Sequence, residues 1–159
     1  MEHVAIMKKL WGLTEKILSG DKKIESRWYM MRCAPWDRIK VGESVYFKNS
    51  GEPVTIKTTV AKILQFKELT PKKVKEILGK FGPDDGIEVK DVPKFYERFK
   101  DKKYCLLVFI KNPVRIKPFE IDKTGFGMMS AWLTVKKIAQ IKKSLADFGY
   151  HSKRGNWLI

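Results

Sequence analysis

Residues 19–28, "SGDKKIESRW", decide how this chain is read. Five of the ten residues are charged, yet the stretch follows an apolar run and ends on Trp28. Upstream, in "KKLWGLTEKILSG", Leu10, Leu13 (or Trp11), Ile17 and Leu18 recur at helical spacing, and Gly20 is a C-terminal stop. Downstream, "KKIESRWYM" alternates as a strand. Ile24, Ser26, Trp28 and Met30 point one way; Lys23, Glu25, Arg27 and Tyr29 point the other. Lys22 therefore sits at a helix-to-strand corner, on the rim of a sheet. Glu25 and Arg27, two apart, share a strand face. A carboxylate beside a guanidinium offers acceptor and donor together, which suits reading the polar edge of a base or holding a lysine amine. The plain alternative is a surface salt bridge beside a turn.

Outward from this corner the chain alternates strands and short helices. "HVAIM" precedes it as a first strand. "IKVGESVYFKNSGEPVTIKTTVAKILQFKEL" reads as a strand, a turn at "NSGEP" and a long strand with Val54, Ile56, Thr58, Val60, Lys62 and Leu64 on one face. "TPKKVKEILGKFG" predicts a helix capped by Thr70, with Pro71 at its first position and Gly79 or Gly82 near its end. "DVPKFYERFKD" predicts a second helix, capped by Asp91. "KYCLLVFIKNPVRIKPF" is the most apolar strand and so a central one. "IDKTGFGMMSAWL" is irregular, and "TVKKIAQIKKSLADFG" predicts a final helix over 134–149. The pattern suggests one α+β domain over 1–159: a small mixed β-barrel with peripheral helices.

Composition narrows the function. Lys and Arg number 33 against 18 Asp and Glu, a formal charge of +15 spread along the chain rather than gathered in a tail. Such a field favours a polyanion, most simply nucleic acid. The alternative is a Lys-rich solubilising surface. At 43% apolar residues disorder is not expected. No apolar run reaches membrane-spanning length, and the N-terminus lacks the apolar core of a signal peptide, so a cytoplasmic location is expected. Cys33 and Cys105 lack a CxxC partner and read as ordinary buried or half-buried thiols, so no metal is expected. No P-loop, G-x-S-x-G, HExxH or GxGxxG occurs, and no cofactor is implied.

The stretch also resembles a family. "ILSGDKKIESRW" is similar to the G-x-K-x-x-E-x-R signature of ASCH domains, of the PUA-like superfamily, with Gly20, Lys22, Glu25 and Arg27 in its four positions. The later "VGESVYFKNSG" follows in the family's order. The resemblance covers residues 1–66 best. It leaves 67–103 as a helical insertion and 118–159 as a C-terminal extension. It implies a PUA-like barrel with a motif-lined cleft, and an RNA-related function that engages a nucleotide or modified base. One branch of the family is an amidohydrolase of N4-acetylcytidine, in which the motif lysine acts with a threonine. Lys22 matches that lysine, but Glu25 stands at the threonine position. Lys22 with Glu25 is thus the catalytic pair to consider if the chain is a hydrolase of a modified nucleoside or RNA base.

Further contacts to RNA are expected from residues around the motif. Lys23 and Tyr29 accompany it. Tyr46 and Lys48 alternate on one face of their strand and border the cleft if they pair near it. Trp28 and Trp36 either stack on bases or pack the barrel. In "TGFGMMSAWL", Phe126 and Trp132 are either a stacking wall or a plug between glycines. Lys136 and Lys137, with Lys142 and Lys143, form a basic helix face that "HSKRGNW" extends.

Overall fold

The computed structural model describes residues 1–143. Strand β1 (Glu2–Met7) leads through a short 3-10 turn to helix α1 (Leu13–Ser19). The helical run breaks at Gly12, whose φ of 62° is left-handed. Strand β2 (Ile24–Tyr29) follows, then β3 (Ser44–Asn49) and β4 (Val54–Phe66). Helix α2 (Pro71–Phe81) begins as its sequence predicts: the Thr70 hydroxyl accepts from the Lys73 N–H at 3.2 Å, with Pro71 at the first position. Helix α3 (Val92–Phe99) lacks the predicted cap. Asp91 is already helical in φ and ψ and its side chain caps nothing. Strand β5 (Tyr104–Phe119) and strand β6 (Trp132–Val135) complete the described chain.

The six strands form one sheet in the order β2-β5-β4-β3-β1-β6, antiparallel except for β1 against β3. β5 lies between β2 and β4, with its apolar half, Cys105 to Val108, fully withdrawn from solvent. The sheet curls into a barrel-like shell. Arg27, on one edge strand, donates to the carbonyls of Ile6 and Ala131 beside the other edge. Inside pack Ala5, Val45, Phe47, Ile56, Val60, Leu106 and Val108; α2 and α3 cover the outer face of β2, β5 and β4 through Ile24, Leu107, Val74, Ile77 and Leu78. This is the mixed, barrel-like α+β architecture that the spacing suggests.

Two larger expectations also fail. Residues 134–143 are not helical. Trp132, Leu133, Thr134 and Val135 pair with β1, and Ile138–Gln140 form only a 3-10 turn. β-branched and aromatic residues with an open strand edge to fill outweigh the i, i+3 spacing. The rest of the predicted helix, 144–149, and His151, Lys153 and Arg154 lie outside the described residues. Second, β4 does not keep one face. A bulge between Val60 and Lys62 shifts the alternation, so Ile63 packs inside with Val60 while Lys62, Leu64 and Phe66 face outward. Of the two thiols expected to be buried or half-buried, Cys105 is buried but Cys33, after the end of β2, is exposed.

Candidate functional site

The corner at Gly20 builds the site. Gly20 ends α1 in a left-handed conformation, φ 85°, that its lack of a side chain permits. The Lys22 N–H then bonds the Lys16 carbonyl at 2.9 Å, which turns the lysine side chain inward. Its Nζ donates to the Ile24 carbonyl at 2.6 Å, the Asp85 carbonyl at 2.7 Å and Asp85 Oδ1 at 2.5 Å. Glu25 Oε1 lies 3.5 Å away. An ammonium has three protons, and all three are used by the protein itself. Burial alone depresses the basicity of Lys22, but the Asp85 and Glu25 carboxylates outweigh it and hold the amine above its ordinary value, charged. Burial pushes the Asp85 carboxyl up, against the pull of the Lys22 ammonium and the Ser26 hydroxyl.

The network runs on in both directions from Lys22. Ser26 Oγ donates to Asp85 Oδ2, and Trp28 Nε1 donates to Ser26 Oγ at 3.1 Å. On the neighbouring strand face, Glu25 Oε2 accepts from Arg27 at 3.3 Å. The Arg27 guanidinium lies 5.2 Å above the Trp132 ring, whose Nε1–H donates to His3 Nδ1 at 3.2 Å. His3 Nδ1 thereby accepts, so the neutral ring carries its proton on Nε2, which donates to Glu43 at 2.9 Å. Among the described residues, Arg27 Nε and Tyr29 Oη are buried and meet no hydrogen-bond partner.

Of these groups, Glu25, Ser26, Arg27 and Trp28 line a cleft of about 310 Å³ between β2, the 3-10 turn before α1 and the end of α3. Trp11, Trp28 and Phe99 are half-buried and form its walls; Glu25 and Arg27 lie between them. Trp28 stacks on Phe99 at 4.7 Å and 6°. Lys8 and Arg98 each sit 4.9 Å over the Trp11 ring, and Lys102 joins them at the rim. A smaller recess of about 60 Å³, lined by Trp11, Lys22, Glu25, Asp85, Phe95 and Phe99, continues toward the buried lysine. The arrangement can seat a flat ring against aromatic faces, bond its polar edge and place an anion at the rim.

No family model matches the sequence, and no curated protein matches it. The fold does have neighbours. The crystal structure of ASCH from Zymomonas mobilis superposes with a TM-score of 0.61 at 13% identity, over 90% of this chain and 96% of that one. A single-residue variant of it gives 0.62 at 14%, over 87% and 91%. The N-terminal domain of Staphylothermus marinus McrB gives 0.53 at 11%, over 87% and 90%. The fold is that of an ASCH domain. Among the described residues, no helix is long and apolar enough to cross a membrane. No three His, Cys, Asp or Glu side chains gather as metal ligands there.

Within this fold the residues singled out by sequence do not all meet at the cleft. Lys22, Glu25 and Arg27 come together at the cleft, though Lys22 is only 2% exposed. Lys23, beside them, is exposed and ties its N–H to the Asp84 carbonyl. Tyr29 packs against the barrel core, and burial pushes its hydroxyl up. Trp36 packs there too, and Trp132 is buried beneath Arg27. Tyr46 and Phe126 pack together in a separate apolar cluster with Phe119 and Leu133, off the cleft. Lys48 is buried near Glu120, Lys123 and Lys143. Lys136 and Lys137 are exposed after β6. Sequence reading missed Trp11, Asp85, Phe99 and Arg98. The available signals were the acidic turn "PDDG" and an aromatic in a helix that carries Arg98 beside it.

Proposed function

We propose that this chain is a nucleic-acid-binding module of the PUA-like class, and that its cleft takes one RNA nucleotide or modified base. The base lies against Trp11 and Phe99. Glu25 accepts from an exocyclic amino group, Arg27 donates to a ring or carbonyl acceptor, and Arg98, Lys8 and Lys102 meet the phosphate. What carries this reading is the acceptor–donor pair Glu25–Arg27 inside an aromatic-walled cleft with a cationic rim. The +15 charge supports it through long-range attraction of a polyanion.

The hydrolase alternative, turnover of N4-acetylcytidine or a related base through Lys22, has less support. A lysine acts as base or nucleophile only after losing a proton. Lys22 is held charged, with its three protons engaged. Its role in the binding reading is to position Glu25 and Asp85. Incubation with N4-acetylcytidine is expected to release no acetate.

The test is binding of a transfer RNA pool against single-stranded DNA of equal charge, titrated over salt. RNA preference that survives moderate salt is the expected result. Glu25→Gln, which keeps the shape but swaps an acceptor oxygen for a donor, should change base preference about tenfold, the scale of one base-edge contact. Equal binding of both polymers that vanishes with salt, or an unchanged preference in folded Glu25→Gln, overturns the proposal.

A further inference from the structure

A second groove lies on the outer face of β4 and β5 against α2. It encloses about 600 Å³ and shares no lining residue with the motif cleft. The bulge in β4 creates it. By shifting the alternation after Val60, the bulge turns Lys62, Leu64 and Phe66 outward together, beside Phe109 of β5. Helix α2 supplies the opposite wall with Lys73, Ile77, Lys80 and Phe81.

Three half-buried rings line this groove, and each carries its own lysine. Lys62 is 5.3 Å over Phe109, Lys73 is 5.5 Å over Phe66 and Lys80 is 5.2 Å over Phe81. The rings are neighbours: Phe81 meets Phe109 edge-on at 6.0 Å and Phe66 at 6.5 Å. The one acid among the lining residues, Glu76, is 3.5 Å from Lys73 and exposed, so the groove stays cationic. Lysine stems do cover apolar surface on ordinary protein faces. Here, however, the pairing is repeated three times around one concavity. An exposed ammonium over a ring is held by only about 0.5–1 kcal/mol, so a phosphate can draw it off and leave the ring to a base.

We propose that this groove binds a segment of single-stranded nucleic acid, with phosphates on Lys62, Lys73 and Lys80 and bases on Phe66, Phe81 and Phe109. Backbone charge and stacking faces in alternation are what a strand without sequence preference requires. The site stands apart from the motif cleft and does not depend on that cleft binding a base.

The test is fluorescence anisotropy of a labelled short oligouridine and the matching oligothymidine on the whole chain, over rising salt. The combined variant Lys62→Gln, Lys73→Gln, Lys80→Gln should weaken binding at least about tenfold at low salt. It should also flatten the slope of log K against log salt by about 2, at roughly 0.7 per phosphate contact on a single strand. Phe109→Leu keeps apolar bulk but removes a stacking face. It should weaken binding by about fivefold or more with the slope unchanged. Tighter binding of oligouridine assigns a ribose contact, and equal binding of the two oligomers supports the same ligand class. An unchanged slope in the folded triple variant overturns the proposal. So does displacement of the oligomer by polyglutamate of equal charge at equal concentration, which would mark the groove as a site for acidic protein.

Discussion

Lys22 and Lys48 lie at different places around the barrel, 2% and 8% exposed, and burial has opposite outcomes for them. For both, loss of water is the largest influence and opposes the charge. Around Lys22, two carboxylates and two carbonyls close on the ammonium, and the amine becomes harder to deprotonate than in water. Around Lys48, Glu120 offers partial compensation while Lys123 and Lys143 add repulsion, and the amine becomes easier to deprotonate. Burial alone does not tell an observer whether a lysine is a structural cation or a desolvated amine. The partners decide, and they come from distant parts of the chain. That contrast separates a cleft organised by a fixed charge from one that could run amine chemistry.

The sharpest way to break the comparison is to remove the partner of Lys22. Asp85→Ala should cost about 3–5 kcal/mol in denaturant unfolding, because it leaves a buried ammonium short of its counter-charge. In a Lys22→Met background the same change should cost far less, since the charge it would orphan is gone. A single-variant loss below about 1 kcal/mol, the worth of an exposed pair, would mean that Lys22 reaches water and that the contrast with Lys48 is false. The pH dependence carries the same sign. With its folded value raised, Lys22 contributes stability that is complete below the unfolded lysine value of about 10.4. That contribution is lost as pH climbs through the folded one.

The two sides of the Lys22 site were unequally legible in sequence. Local features were plain: Gly20 as a left-handed stop, the lysine at the corner, the alternation that sets Glu25 and Arg27 on one strand face, and Thr70–Pro71 as a helix start. Each depends on neighbours within a few residues. Asp85 was not legible, because nothing near it in sequence says that a turn after α2 returns to β2. The bulge in β4 was hidden for a related reason. Val60, Lys62 and Leu64 alternate correctly by themselves, and only pairing with Ile110 and Phe109 shows the extra residue. The predicted helix from Thr134 failed because an open edge of β1 accepted Trp132–Val135 as a strand. The cleft walls needed three segments, around Trp11, Trp28 and Phe99, that meet only in the fold.

His3 sharpens the contrast from an intermediate position. It is fully buried, like the lysines, and Glu43 pulls its basicity up while burial pulls it down. Burial wins, so the folded value lies below the ordinary 6.5. The unfolded chain then binds the proton first. The contribution of His3 is whole above about pH 6.5 and is lost as pH falls below it. Protonation would also place an N–H on Nδ1 facing the Trp132 N–H, disturbing the ring beneath Arg27. Thermal melts across this range should show a fall in stability toward acid that His3→Gln removes. Equal acid sensitivity in both proteins would assign the effect to other groups and leave His3 on the side of Lys22, compensated.

The smallest effect belongs to Lys48. Methionine matches the length of its stem and removes the charge that Lys123 and Lys143 repel. Lys48→Met should therefore leave stability unchanged or raise it, by less than about 1 kcal/mol, where Lys22→Met lowers it. The pH response distinguishes the two lysines further. A depressed folded value means that the unfolded state holds the proton longer, so the native protein gains stability as pH rises toward the unfolded lysine value. That gain should disappear in Lys48→Met. If Lys48→Met instead destabilises by more than about 1 kcal/mol at neutral pH, the amine has a compensating partner after all. Glu120 would then be to Lys48 what Asp85 is to Lys22, and Glu120→Gln in the Lys48→Met background would show it by costing nothing further.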